Sequence, residues 1–507
     1  MVYSTHMQRT HDTDSPSPIF LLPWGLAAVL GLVAPWLLGG QASKAYPIMT
    51  FLALLAVLGI LFAVLMDYRN WNAFAFREAR SGIGRPNPLR VFALGLVRTL
   101  PLWFFIGFLY LGLSNPAYLR EGNRLIPQAF NAALPTVADA GFSAPGIQFL
   151  ASLLALAALL ANPACRARRA WLRTLLALLL INALILAWTG IYFRFLGNGQ
   201  LLGRYPSRDQ HFFATFYYKN HWAAFALLYC GVATGFFFRD LPRWFARSRK
   251  AGSGGLALAA LFFFGLTFFI VESRSGILLF SLFGFILAGG LFACIRSRRS
   301  RWLLAVVTLA GVGGGLYLAL ADRGDEGFRT GSRLQQSDSV PLDRMRVENG
   351  SQASLAMFRD RPFWGWGYRS FEPLYPGYST DYLWNTDAFF PLNMESFCSD
   401  WLRHLAEFGL VGSALLLLGL ILLPRPARVG PAFNLKAEGL MLGLRLRDAD
   451  RGLYEREHRL APGLGMRTWV RICILLLGLL ALWDMPFSNP AVLASVAILF
   501  LISRRLA

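Results

Sequence analysis

Six residues between two apolar runs, VESRSG at 271–276, hold a glutamate and an arginine where almost no loop is available. A guanidinium fixed at that depth presents a planar fork of donors suited to bidentate binding of a phosphate. The same residues can instead form a Glu272–Arg274 pair or touch a lipid headgroup, so the motif alone defines a charge and not a reaction. A second polar group opens another apolar run. In TFYYKNHWAAF, residues 215–225, Lys219, Asn220 and His221 bring donors and a titratable ring among Tyr217, Tyr218 and Trp222. Aromatic belts at membrane interfaces explain such rings without chemistry. His221 reads equally as a hydrogen-bonding residue at a helix start and as a ligand.

The densest chemistry is FCSDWLRHLAEFGLVG, residues 397–412. Ser399 or Asp400 can cap a helix by accepting from free backbone N–H groups. Asp400, His404 and Glu407 then follow at i, i+4 and i+7, so three polar groups share one face, and Arg403 stands four residues before Glu407. A capped, salt-bridged helix start accounts for this pattern. However, a carboxylate one or two turns into a membrane helix needs an aqueous cavity or a partner. Asp484, followed by Met485 and Pro486, reads as the exit from its apolar run.

These groups are positioned by long apolar segments. Of 507 residues, 55% are hydrophobic and 15% charged, and runs of about 20 apolar residues, enough to cross a bilayer, recur from residue 19 onward. The pattern predicts an all-α polytopic membrane protein with about twelve transmembrane helices, near 19–39, 46–66, 91–113, 146–163, 172–192, 221–238, 255–272, 276–295, 302–321, 405–424, 469–485 and 489–504. The net charge of +21 sits mostly in short links such as CRARRAWLR, RDLPRWFARSRK and IRSRRSR. Short Lys/Arg-rich loops stay cytoplasmic, which puts both termini inside and makes the basic excess an orientation signal with some affinity for anionic lipid. Nucleic acid is not an expected partner. The first run is expected to be retained and not cleaved as a signal peptide.

The organisation expected is a cytoplasmic tail (1–18), nine helices with short loops (19–321), one large structured periplasmic loop (322–404), and three helices with a cytoplasmic segment at 425–468 (405–507). Within the large loop SLAMFRDRP reads as a helix ending at Pro362, and WGWGYRSF as a glycine-hinged aromatic turn. The five cysteines do not support an exported disulfide framework. The six scattered histidines, without HExxH or paired CxxC, give no metal signature, and no phosphate-binding glycine loop appears. No cofactor and no metal are expected.

Four segments together resemble the O-antigen ligase/polymerase family: YKNHWAAF, SRSG at 273–276, RVENGSQASLAMFRDRPFWGWGYRSF and CSDWLRHLAEFGLVG. The resemblance covers roughly residues 190–415. It implies a GT-C-like helical architecture and a bacterial inner-membrane glycosyltransferase acting on the periplasmic face. Such an enzyme takes a glycan from undecaprenyl diphosphate and transfers it to an acceptor hydroxyl. Arg274 and Arg346, or Arg344 if the spacing to Pro362 slips, would bind the carrier diphosphate. The family histidine falls on Cys398, a thiol with an ordinary pKa near 8.5 and a poorer base than imidazole, so base action passes to Asp400, Glu407 or His404, or little base is needed. Trp364, Trp366, Tyr368 and Phe371 would stack on sugar rings, or else pack the loop. Arg369, Asn220 and His221 complete the expected substrate-binding set. A repeat-unit polymerase is the alternative within the family, and a lipid or solute transporter the alternative outside it.

Overall fold

The structure, a computed structural model, describes residues 18–41, 44–78, 87–122, 124–196, 200–202, 205–206, 212–245, 254–271, 273–294, 298–320, 342–378, 399–424 and 465–506. Every apolar segment expected to be helical is helical. In chain order the helices are α1 (Leu21–Val33), α2 (Ala45–Glu78), α3 (Pro88–Arg98), α4 (Leu100–Leu113), α5 (Ala140–Ala161), α6 (Arg169–Leu196), α7 (Lys219–Phe245), α8 (Gly254–Ile270), α9 (Arg274–Cys294), α10 (Arg298–Leu320), α11 (Leu342–Asp360), α12 (Phe371–Tyr378), α13 (Asp400–Leu422), α14 (Met466–Leu480) and α15 (Pro490–Arg505).

Among the described residues, seven helical stretches are individually long and apolar enough to cross a membrane, and the bent pair α3–α4 makes an eighth. The 15 to 17 residues of α14, α15 and α8 rise roughly 22–26 Å, against about 30 Å of hydrocarbon. Twelve full crossings therefore exceed what helix length alone supports. The single run expected over 91–113 is two helices meeting at 60°. Pro101 has no N–H to donate into the preceding turn, and the Thr99 hydroxyl donates instead to the carbonyls of Gly95 and Leu96.

The bulk is helical, but the link after α4 is not a plain loop. It forms a three-stranded sheet of order β2-β1-β3, from β1 (Pro116–Glu121), β2 (Arg124–Pro127) and β3 (Val137–Asp139), with β1 antiparallel to β2 and parallel to β3. Asp139 ends the sheet and starts α5: it pairs with Arg120 at 2.6 Å and accepts from the Gly141 and Phe142 N–H groups. A two-residue ladder joins β4 (Gln200–Leu201) to β5 (Tyr205–Pro206). The apolar stretch of α7 is wholly buried, with α6, α8, α9, α14 and α15 packed around it.

A second, smaller core lies beyond the bundle, where Ala117 and Ala138 of the sheet meet Met357 of α11, Trp366, Phe371, Ala406 and Met485. It is fastened to the bundle by a break in α13. Gly409 has φ 60° and ψ −168°, a region open essentially to glycine alone. Around it the helix cannot pair its own backbone. Leu410 and Val411 N–H donate to the Pro362 and Phe363 carbonyls at 2.8 and 3.1 Å, while Trp366 and Gly367 N–H donate to the Ala406 and Glu407 carbonyls at 3.0 and 2.6 Å. The 362–367 turn thus occupies the gap in the helix, with Gly365 and Gly367 themselves at positive φ. A Cβ on Gly409 would collide with the Phe363 carbonyl, and one on Gly365 with the Glu407 carbonyl.

Gly409→Ala is therefore expected to destabilise the protein by at least the strain of a forbidden backbone region, about 1–3 kcal/mol. The check is thermal unfolding in detergent, with Gly311→Ala, which meets no atom within 4 Å, as the control that should not lose stability.

Candidate functional site

Ser273 initiates α9. Its carbonyl accepts from Ile277 N–H at 2.8 Å and its hydroxyl oxygen accepts from Gly276 N–H at 3.0 Å, the arrangement of an N-terminal cap. The same hydroxyl donates to Asn220 Oδ1 at 2.6 Å, so the start of α9 is tied to the start of α7. Arg274 is the first residue of α9 and is exposed. Its charge stands at a helix N-terminus, where free N–H groups and the helix dipole already favour an anion.

From Asn220 the hydrogen bonds continue across the bundle. Its Nδ2 donates to Asp484 Oδ2 and, at 2.7 Å, to the Tyr218 hydroxyl. Asp484 Oδ1 accepts from Met485 N–H at 2.7 Å, and the Asp484 carbonyl accepts from Asp400 N–H at 3.1 Å. Asp400 Oδ2 then accepts from Phe487 N–H at 2.6 Å. His221, fully buried, is held on both ring nitrogens: Nε2 donates to the Met485 carbonyl at 3.1 Å, and Nδ1 faces Asn489 Nδ2 at 3.4 Å. Asn489 in turn caps α15 by accepting from Ala491 and Val492 N–H. The 484–489 turn thus joins the starts of α7, α9, α13 and α15.

One atom in this chain is left over. Asp400 is 2% exposed, and its Oδ1 has no hydrogen-bond partner. A buried carboxylate oxygen without a donor is costly unless a ligand, water or proton satisfies it.

Further along α13 the charges are paired. Arg403 meets Glu407 through Nε at 3.1 Å and Glu372 through Nη2 at 3.1 Å. Glu407 Oε1 also accepts from Phe371 N–H at 3.3 Å. Arg369 lies 3.6 Å from Glu372 and stacks over the rings of Phe142 and Tyr46. Two arginines and two glutamates compensate each other here, with Arg403 4% and Glu407 1% exposed.

The structure sorts the expected site residues. Asn220, His221 and Asp400 join one hydrogen-bonded framework, and Arg274 directly follows its Ser273 at the start of α9. Glu407 and Arg369 are engaged in the ion-pair cluster, which makes both residues fasteners of the 361–372 turn. His404, half-buried, donates from Nδ1 to the Asp400 carbonyl at 2.6 Å and rests edge-on against Phe408. Trp366, Tyr368 and Phe371, expected either to face a sugar or to pack the loop, are packed inside. Trp366 Nε1 donates to the Met357 carbonyl at 3.1 Å, Tyr368 stacks on Phe408 at 5.9 Å, and Phe371 is fully buried. Burial also pushes the Tyr368 phenol far above its ordinary range. Trp364 is half-buried against Phe108. Arg344 and Arg346 lie on α11, but their side chains, like the whole of Glu272 and Cys398, lie outside the described residues. No three His, Cys, Asp or Glu side chains come together to hold a metal among the described residues.

Sequence reading undervalued Asp484. Read as an exit from its span, it is the residue that joins Asn220 to Asp400. Its signal was the general one, an acid at membrane depth between two apolar runs. Glu372 and Asn489 gave no signal, because their partners are distant in sequence. Arg403→Ala would leave the buried Glu407 without its cation and Glu372 with Arg369 alone. A loss of about 3–5 kcal/mol is expected for breaking such a pair, visible as a large drop in the thermal midpoint, whereas Trp401→Ala, at a half-exposed ring, should shift it far less.

Comparison with known proteins adds one match. Residues 259–417 fit the family model described as O-antigen ligase. No curated protein matches the chain. The matched stretch holds Arg274, the 362–367 turn and the break at Gly409, while Asn220, His221, Asp484 and Asn489 reach the same network from outside it. Residues 259–417, where the backbone interlock and the start of α9 lie, are thus similar to the O-antigen ligase family.

Proposed function

We propose that the protein is a membrane glycosyltransferase that moves a glycan from undecaprenyl diphosphate to an acceptor hydroxyl, in the manner of an O-antigen ligase. The reaction takes place at the bundle end carrying Arg274 and Asp400, which the distribution of arginine-rich links assigns to the periplasmic side of the bacterial inner membrane. The observation that carries this reading is the hydrogen-bonded chain from Ser273 through Asn220 and Asp484 to Asp400. It ties the start of α9, where Arg274 stands, and a carboxylate with an unpartnered oxygen at the start of α13 to one framework.

Arg274, assisted by the N–H groups of the first turn of α9, binds the diphosphate. Arg346 of α11 is the second cation, with Arg344 as its alternative. In the transfer step the acceptor oxygen forms a bond to the anomeric carbon as the bond from that carbon to the phosphate oxygen breaks. The electron pair leaves on the diphosphate, where the fixed cations stabilise the growing charge. Asp400 Oδ1 takes the acceptor proton. Glu407, held by Arg403 and the Phe371 N–H through Oε1, is the alternative base, and Cys398 is not required for the step. A single displacement of this kind, in line with the departing diphosphate, inverts the anomeric centre.

Two outcomes test the reading. Arg274→Ala should abolish transfer from a labelled undecaprenyl-diphosphate glycan while the protein stays folded in the membrane, and full activity in that variant would refute the diphosphate clamp. Asp400→Asn should lower the rate by about 10²- to 10⁴-fold, the usual contribution of a general base, and should flatten the acidic limb of the pH–rate profile. In a deletion strain, loss of a ligase leaves long polymer on the carrier, whereas loss of a polymerase leaves single repeat units.

A further inference from the structure

The basic link CRARRAWLR plays no part in the transfer reaction, and it lies at the opposite end of the bundle from Arg274. Helices α1 and α6 run parallel there. Trp36 Nε1 donates to Asn182 Oδ1 at 2.9 Å, Asn182 Nδ2 donates to the Leu32 carbonyl at 3.2 Å, and a Cβ on Gly31 would touch Leu179. These contacts close the C-terminal parts of the pair. Toward their N-termini the helices part, and a groove of about 460 Å³ opens between them. Leu22, Gly25 and Val29 form one wall and Trp171, Leu175 and Leu178 the other. Its surface is almost wholly apolar.

Two features identify what fills it. Arg166, Arg168 and Arg169 stand exposed where α6 begins, and neither α1 nor α6 has an acid in its first turn. Two helix N-termini without acids thus lie at this end of the groove, and three arginines sit within five residues of its Trp171, a setting that favours an anion. In addition, Trp171 Nε1 is buried at the groove and has no hydrogen-bond partner. A purely hydrocarbon occupant would leave that N–H unsatisfied, at a cost. A glycerolipid brings an ester carbonyl to that depth, between chain and headgroup.

We infer that the α1–α6 groove is a binding site for an anionic phospholipid, its acyl chain between Gly25 and Leu178 and its phosphate against Arg166, Arg168 and Arg169. The site is independent of the glycosyltransferase reading. By the distribution of arginine-rich links it belongs to the cytoplasmic leaflet, where anionic headgroups supply the counter-charge. Trp24, whose Nε1 donates to the Cys165 carbonyl at 3.4 Å, holds the basic link against α1.

Native mass spectrometry of the purified protein, titrated with dioleoyl phosphatidylglycerol or dioleoyl phosphatidylcholine, tests the site. The first phosphatidylglycerol should be retained at least tenfold more tightly than the first phosphatidylcholine. Arg168→Gln together with Arg169→Gln should erase that preference, and Gly25→Leu, which fills the groove, should weaken both lipids about tenfold. Circular dichroism and a monomeric elution profile establish that each variant is folded. A brominated phosphatidylglycerol gives the local readout, since its quenching of tryptophan fluorescence should fall in Trp171→Phe. Equal retention of the two lipids, a preference that survives the arginine changes, or undiminished retention in Gly25→Leu overturns the site. A dimer that disappears in Gly25→Leu overturns it too, since the groove would then hold a second copy of the chain.

Discussion

The architecture depends on four main-chain hydrogen bonds exchanged between the 362–367 turn and the gap in α13. A helix broken in apolar surroundings leaves N–H and C=O groups that water cannot reach, and each must find a partner. Here the partners come from a single turn some 40 residues earlier, which is itself bent by glycines at positive φ so that its backbone can enter the gap. No side chain could mediate this contact. Glycine is required on both sides because the two backbones touch.

Two consequences follow from that interlock. It binds the small core beyond the bundle, formed by the sheet, α11 and α12, to a helix of the bundle. It also brings Arg369 and Glu372 beside Arg403 and Glu407, so that residues far apart in sequence form a compensated group of charges. Those pairs are buried and cost desolvation, which the closeness of the two backbones offsets by letting every carboxylate keep a hydrogen-bonded cation or N–H. The part of α13 before the break is thereby freed from the axis of the part after it. Asp400 is set against the 484–489 turn and not in line with the membrane-spanning half.

The polar framework at the start of α13 and the groove at the starts of α1 and α6 use helix termini in opposite ways. At the first, Ser273 and Asn489 cap their helices, the 484–489 turn joins them, and one carboxylate oxygen is left without a partner. At the second, the helix starts carry no acidic caps, arginines surround them, and an indole N–H is the group left over. An acceptor without a donor calls for a proton or a hydroxyl, and a donor beneath a cluster of cations calls for an oxygen on an anion. The two ends are therefore chemically distinct, and a lipid held at one need not compete with a substrate at the other.

The sequence by itself determined what local chemistry determines. Runs of apolar residues set where helices form, because length and composition decide what a bilayer accepts. Arginine-rich links set the expected orientation, SLAMFRDRP and Pro362 set the end of α11, and the Arg403–Glu407 spacing set an ion pair within one helix. SRSG and the GLVG of α13 carried the family resemblance, which the match over residues 259–417 supports. Only the tertiary structure decided which of these residues meet. The burial of Trp366 and Tyr368 and the joining of Asp484 to Asn220 and Asp400 depend on partners dozens to hundreds of residues away. Periodicity records only which face of an element is apolar. It carries no record of which distant backbone will supply the missing hydrogen bond.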